Sequence, residues 1–187
     1  MRAPLPHPFQ RLSARARRGA LLVLAPLAFA MMFVLHSLDA SLRTPASPNG
    51  IVSFEFAGDG ESAGRMLEAW GGLGRLAAGR SLRLDFLFLA AYAPGLALLC
   101  AAAADRARAA RSRLAAPGAA LAWGQLAAGG LDAIENLALL RVLGGFSTDV
   151  WPALAMACAW PKFALVAAGI LYLATAGVLR FRKQPAL

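Results

Sequence analysis

Two histidines and two cysteines in 187 residues leave little for metal or thiol chemistry. A zinc site needs His, Cys or carboxylate ligands gathered at short range. His7 sits in a basic N-terminal stretch and His36 stands alone, so no metal site is expected. Cys100 and Cys158 fall in apolar runs and form no CxxC pair; they read as small core residues rather than a disulfide or redox couple. One GxSxG match occurs, "GESAG" at 60–64, but it opens from no strand, and His36 has only Ser37 and Ser81 as nearby hydroxyls, which argues against a serine hydrolase. The glycine-rich "GGLGRLAAGR" at 71–80 follows a helical pattern and opens from no strand, so it is not a dinucleotide fingerprint. No cofactor is expected.

Charge is scarce and unevenly spread. Only 16% of residues are charged, 59% are hydrophobic, and mean hydropathy is +0.57. The charges collect between four long apolar runs, each near the roughly 20 residues needed to cross about 30 Å of hydrocarbon. The net charge of +9 comes from 17 Arg and two Lys, of which twelve lie at 2–18, 106–113 and 180–183. Those segments share one side of a membrane if both termini do, the positive-inside arrangement. The positive charge is therefore topological and not the footprint of nucleic-acid binding.

The apolar runs place spans at about 19–38, 82–104, 119–143 and 152–179. A basic segment, 1–18, precedes them and a short tail, 180–187, follows; both are expected in the cytoplasm. The motif "AFA" at 28–30 resembles a signal-peptidase site, but apolar residues continue through Met31, Phe33 and Leu35. An uncleaved first span is the expectation. Pro94 and Pro161 should kink their helices, and Pro152 should sit in a first turn capped by Ser147, Thr148 or Asp149. Trp123 and Trp151 fall near opposite span edges, as interfacial aromatics do. Gly95, Gly129 and Gly130 should allow close helix packing. The expected fold is all-α: a four-helix antiparallel transmembrane bundle with one longer outer loop carrying a short amphipathic helix.

That loop, 39–81, begins with the turn-forming "RTPASPNG". "IVSFEF" at 51–56 alternates and is rich in β-branched and aromatic residues, so a segment that is extended or lies in the interface is expected. A short helix follows, with Asp59 as its cap, Gly71 as its stop, and Met66, Leu67 and Trp70 as its apolar stripe.

Ionisable residues inside spans cost about 2.5–3.5 kcal/mol each at mid-membrane, and they mark function more often than other positions. Here they are Asp85 on the second run, Asp132 and Glu135 on the third, and Lys162 on the fourth. Tyr92 lies seven residues after Asp85, on nearly the same helical side. Gln125, Gly129, Asp132, Glu135 and Asn136 form one stripe. With alternating spans, the ionisable residues all fall in the outer half, facing an apolar inner half. His36, Asp39 and Glu55 are possible further members. Asp85, Asp132 and Glu135 against Lys162 leave a formal −2, or −1 if Arg141 reaches back from the end of its helix, which a low-dielectric site does not carry unpaired. Either carboxyls hold protons or a cation binds. The competing reading is structural: Lys162 staples two helices, Asp85 meets Arg83 near the headgroups, and the protein is a subunit or scaffold. Carboxylate acid–base catalysis ranks third.

The order "FE", "LDFLF", Tyr92, "LDAIEN" and Lys162 is similar to a group of small bacterial four-span membrane proteins with the pattern FE, LDxxF, Y, LDxxEN and K. The likeness spans about 51–171. It implies a bacterial inner-membrane protein and no specific activity, because the group has none established. The lipid bilayer is the expected partner. A small-molecule or cationic ligand, a second membrane protein or further copies of the chain are additional partners to consider.

Overall fold

The computed structural model of the protein describes residues 6–145 and 148–181. Among them the chain is helical and contains no strand, only an isolated bridge between Thr44 and Ser47. The elements are α1 (Ala14–Asp39), a 3-10 turn (Ala40–Leu42), α2 (Ile51–Glu55), α3 (Gly60–Ala109), α4 (Ala115–Leu143) and α5 (Val150–Phe181). Three helices, α1, α3 and α5, are long and apolar enough to cross a membrane. At 29 residues α4 is long enough as well, but glycines, Gln125, Asp132, Glu135 and Asn136 interrupt its apolar sequence. These polar side chains are buried: α4 packs against both α3 and α5, and α1 packs mainly on α3. Protein rather than lipid surrounds its polar side chains, so its composition need not match hydrocarbon.

The contacts run in opposite chain directions along each neighbouring pair. Asp85 meets Asn136 and Tyr92 meets Asp132 between α3 and α4. Lys162 meets Glu135, and farther along Tyr172 donates to the Leu114 carbonyl, between α5 and α4. Between α1 and α3, Arg17 reaches Asp105 and Leu24 faces Gly95.

Two features of the 39–81 connection differ from expectation. "IVSFEF" is not extended, since residues 51–55 form α2. Gly50 enters it with φ 59°, and Asp39 Oδ1 accepts the Ile51 amide at 2.7 Å. A side chain at residue 50 would strike the Asp39 carboxylate, so only glycine lets this local cap form. The helical turn buries Phe54 and Glu55 together, a result alternation would not give.

The other difference is at 72–81, expected as loop and found helical. Gly71 does break the helix, with φ 59° and ψ −164°. The chain then re-enters helix at once, because Leu73, Leu76, Ala77 and Ala78 favour it, and Gly74 lets the Trp70 ring lie close over the new turn. Trp70 Nε1 donates to the Leu42 carbonyl (2.7 Å) and to Ser47 Oγ (2.8 Å), tying the turn after α1 to α3. Its ring meets Phe54 edge-on, at 5.1 Å between centroids.

Asp59 caps α3 as expected, accepting the Ser62 amide at 2.6 Å. That bond holds its carboxyl below the ordinary aspartate value. Asp149, one of the residues expected to cap α5, instead accepts the Gly60 amide at 2.8 Å, joining the starts of α3 and α5. Ser147, the alternative cap, lies outside the described residues. Pro94 and Pro161 are carried inside α3 and α5.

The other end of the helices is less apolar than expected. His7 is buried and bonds Asp105 at 3.2 Å, and Arg17 bonds the same carboxylate at 2.7 Å. Trp123 Nε1 donates to the Pro6 carbonyl (3.0 Å). Residues 6–12 thus fold against the helices rather than extending as a solvated basic tail.

Gly129 and Gly130 separate packing from propensity. A methyl at Gly129 would lie 2.6 Å from Ala93 Cβ, whereas one at Gly130 meets nothing within 4 Å. Gly129→Ala should lower stability by about 1–3 kcal/mol through overpacking. Gly130→Ala should raise it by roughly 0.5–1 kcal/mol. Thermal unfolding of the two variants in detergent checks the opposite signs, and equal effects would refute the α3–α4 contact.

Candidate functional site

Lys162 is the hub of the buried polar set. Its ammonium lies 2.7 Å from Glu135 Oε1, 3.2 Å from Asp132 Oδ1 and 3.3 Å from Glu55 Oε2. An ammonium has three N–H donors, so three carboxylates occupy it fully. They come from α2 and α4, and the lysine from α5, so this one cation gathers three elements. Asp132 uses its second oxygen to accept from Tyr92 on α3, at 2.7 Å. Glu135 is wholly buried and its Oε2 has no hydrogen-bond partner among the described residues.

Asp85 is treated differently. It is half-buried, and Asn136 Nδ2 donates to its Oδ2 at 2.6 Å. No Lys, Arg or His nitrogen lies within ion-pairing distance of it among the described residues. Arg83, considered above as a partner, turns its guanidinium to the Gly79 carbonyl at 2.9 Å. Folding Glu55 into the cluster enlarges the imbalance: Glu55, Asp85, Asp132 and Glu135 face one Lys162, a formal −3 if all are ionised.

Two cavities meet at these residues. The first, about 570 Å³, runs between α1, α3 and α5, with Glu55, Asp85, Tyr92, Asp132 and Lys162 along its polar part. The rest of its wall is apolar and includes Leu24, Ala28, Gly95, Leu99, Val166 and Ile170. The second, about 520 Å³, is bounded by His36, Asp39, Arg43, Asn49, Ser81 and Asn136 among others. Met32, Glu55, Asp85 and Phe88 line both. Asp85 therefore stands where a polar vestibule meets an apolar groove.

Of the residues singled out from sequence, Glu55, Asp132, Glu135 and Lys162 form one contact cluster, with Tyr92 attached through Asp132. Asp85 and Asn136 form a neighbouring pair. His36 and Asp39 stand apart in the vestibule, where Asp39 is engaged by the Ile51 amide and by Arg43 at 3.1 Å. Glu135 departs from expectation, since it packs behind Lys162 and lines neither cavity. Sequence reasoning missed Met32, Phe88 and the α1 wall. Phe88 had a signal, at i+3 from Asp85, and Leu21, Leu24, Ala25 and Ala28 recur at helical spacing. Their role depends on which face α1 turns to α3, which sequence does not give.

No family model, curated protein or solved structure matches the chain.

The geometry divides the polar residues into two stability classes. Lys162→Met strands three carboxylates and should cost about 3–5 kcal/mol. Glu135→Gln weakens one charge-assisted bond in a sealed setting and should cost about 1–3 kcal/mol. Asp85→Asn keeps an oxygen for Asn136 and should stay within about 0.5 kcal/mol of the parent chain. Denaturant titration of the purified variants measures all three, and a stable Lys162→Met protein would contradict this assignment.

Proposed function

We propose that this protein is a four-span antiparallel bundle of the bacterial cytoplasmic membrane, with both termini cytoplasmic. It binds or handles a small cationic, protonatable or amphiphilic ligand in the outer half of the bundle. Likeness to the small bacterial four-span group is part of the same proposal. The observation that carries the ligand reading is Asp85, a carboxylate with no cation partner among the described residues, at the junction of two cavities. A carboxylate in a site of low dielectric is neutralised by a proton or by a cation, and the cavities give either one access. Asp132 and Tyr92 form the adjoining wall. Lys162 and Glu135 hold that wall in place.

A second reading is favoured by the Lys162 contacts themselves. Three carboxylates on one ammonium join α2, α4 and α5, which is what a non-catalytic subunit or scaffold with buried staples requires. The two readings diverge at Asp85, which the staple does not use. Carboxylate acid–base catalysis ranks third.

Topology and ligand class have separate tests. Alkaline phosphatase fused after residue 48 should be active, and green fluorescent protein fused at the C-terminus should fluoresce; the reverse pattern would invert the proposed orientation. For the ligand, alkylammonium ions of several lengths should raise the unfolding temperature of the full chain more than alkyl carboxylates of matching length. Asp85→Asn should abolish that difference. A parent protein indifferent to every cation would leave the scaffold reading standing in its place.

A further inference from the structure

Resting on that reading, we infer that the ligand is a single-chain amphiphile with an amine or quaternary ammonium head. The head sits at Asp85 and the tail lies in the groove between α1, α3 and α5. The groove has chemically distinct ends: Glu55, Asp85, Asp132, Tyr92 and the carboxylate-bound Lys162 at one, and apolar side chains as far as Leu99 and Ile170 at the other. From Asp85 to Leu99 the α3 wall spans on the order of 20 Å, at 1.5 Å per residue. That exceeds the roughly 15 Å depth of one leaflet's hydrocarbon, so a whole alkyl tail fits along it. A small hydrophilic cation would leave most of this 570 Å³ unused.

The sign of the head follows from the donors. All three N–H groups of Lys162 are directed at Glu55, Asp132 and Glu135, so the one buried cation of the site has nothing left for an anionic head. Asp85 offers a carboxylate to a cation, and Phe88, packed on Tyr92 at 4.9 Å between ring centroids, adds an aromatic wall beside it. Aromatic faces attract alkylammonium groups. The flank of the groove is open: Phe29 is 68% exposed and Ile170 54%. Both belong to helices apolar enough to lie in a membrane, so the tail can enter sideways from lipid while the head follows at the depth of Asp85. A tail leaving lipid gains little from burial alone, so discrimination falls to the charged head.

The same head and tail belong to an amine-headed lipid of the surrounding bilayer or to a cationic amphiphile reaching the outer face. Native mass spectrometry of the full chain in a neutral maltoside detergent tests the inference with tetradecylammonium as probe. One probe should bind per chain, and tetradecyl sulfate should not. Asp85→Asn should weaken the probe about tenfold or more, the loss of one charge-assisted contact. Gly95→Leu and Ala28→Phe, which fill the groove from two helices, should each block the probe while leaving Lys162 and its carboxylates in place. Supplementing the micelles with lysophosphatidylethanolamine assigns the source: displacement of the probe points to a single-chain membrane lipid, and persistence to an outside amphiphile. If butylammonium binds as tightly as tetradecylammonium and still needs Asp85, the tail assignment is overturned but the cation site survives. If neither amine binds, the cation site falls with it.

Discussion

A single ammonium group sets the terms for the rest of this structure. Lys162 lies in the interior of a helical, largely apolar protein, where an uncompensated charge is strongly unfavourable. Three carboxylates compensate it, and each brings a structural consequence. Asp132 and Glu135 fix the rotation of α4 against α5. Glu55 requires the chain outside the long helices to fold inward, which it does through α2, the Gly50 turn and the Asp39 cap. Tyr92 then satisfies the second oxygen of Asp132 and sets α3 against α4. The helices are thus registered by directional polar contacts as well as by apolar packing, which suits a setting where lipid competes equally well for apolar surface.

Compensation also leaves a remainder. Four carboxylates converge and one lysine serves three of them, so the fourth, Asp85, is held only by a neutral amide. This residue lines both cavities. Lys162 and Glu135 are engaged with each other, and Asp85, Asp132 and Tyr92 line the larger cavity.

Near the other chain end a smaller cluster solves a different problem. Arg17, His7 and Asp105 bring residues 6–12 back onto the helices, and Trp123 holds Pro6. The basic segment had been read only as a topological signal. Part of it is packed structure, which shows that positive-inside charge and specific contact are compatible uses of the same residues.

The sequence by itself determined the helical class, the long apolar helices, the cap at Asp59, the break at Gly71 and the ionisable residues within the apolar runs. These follow from local rules: apolar length, 3.6-residue periodicity, and the high cost of each ionisable group in an apolar run. Tertiary structure decided what those rules do not reach. Short-range alternation made "IVSFEF" look extended, but a cap from Asp39, twelve residues away, made it helix and buried Glu55. "GGLGRLAAGR" looked like loop because it is rich in glycine, yet Gly74 beneath Trp70 shows glycine serving close packing inside a helix. Spacing placed Asp85, Asp132 and Glu135 at similar depth but could not assign one lysine among them. Partnership depends on helix rotation and on distances of a few ångströms between segments 27 to 107 residues apart. That is why the sequence counted three carboxylates against Lys162 and only the fold added Glu55 and showed which acid was left over.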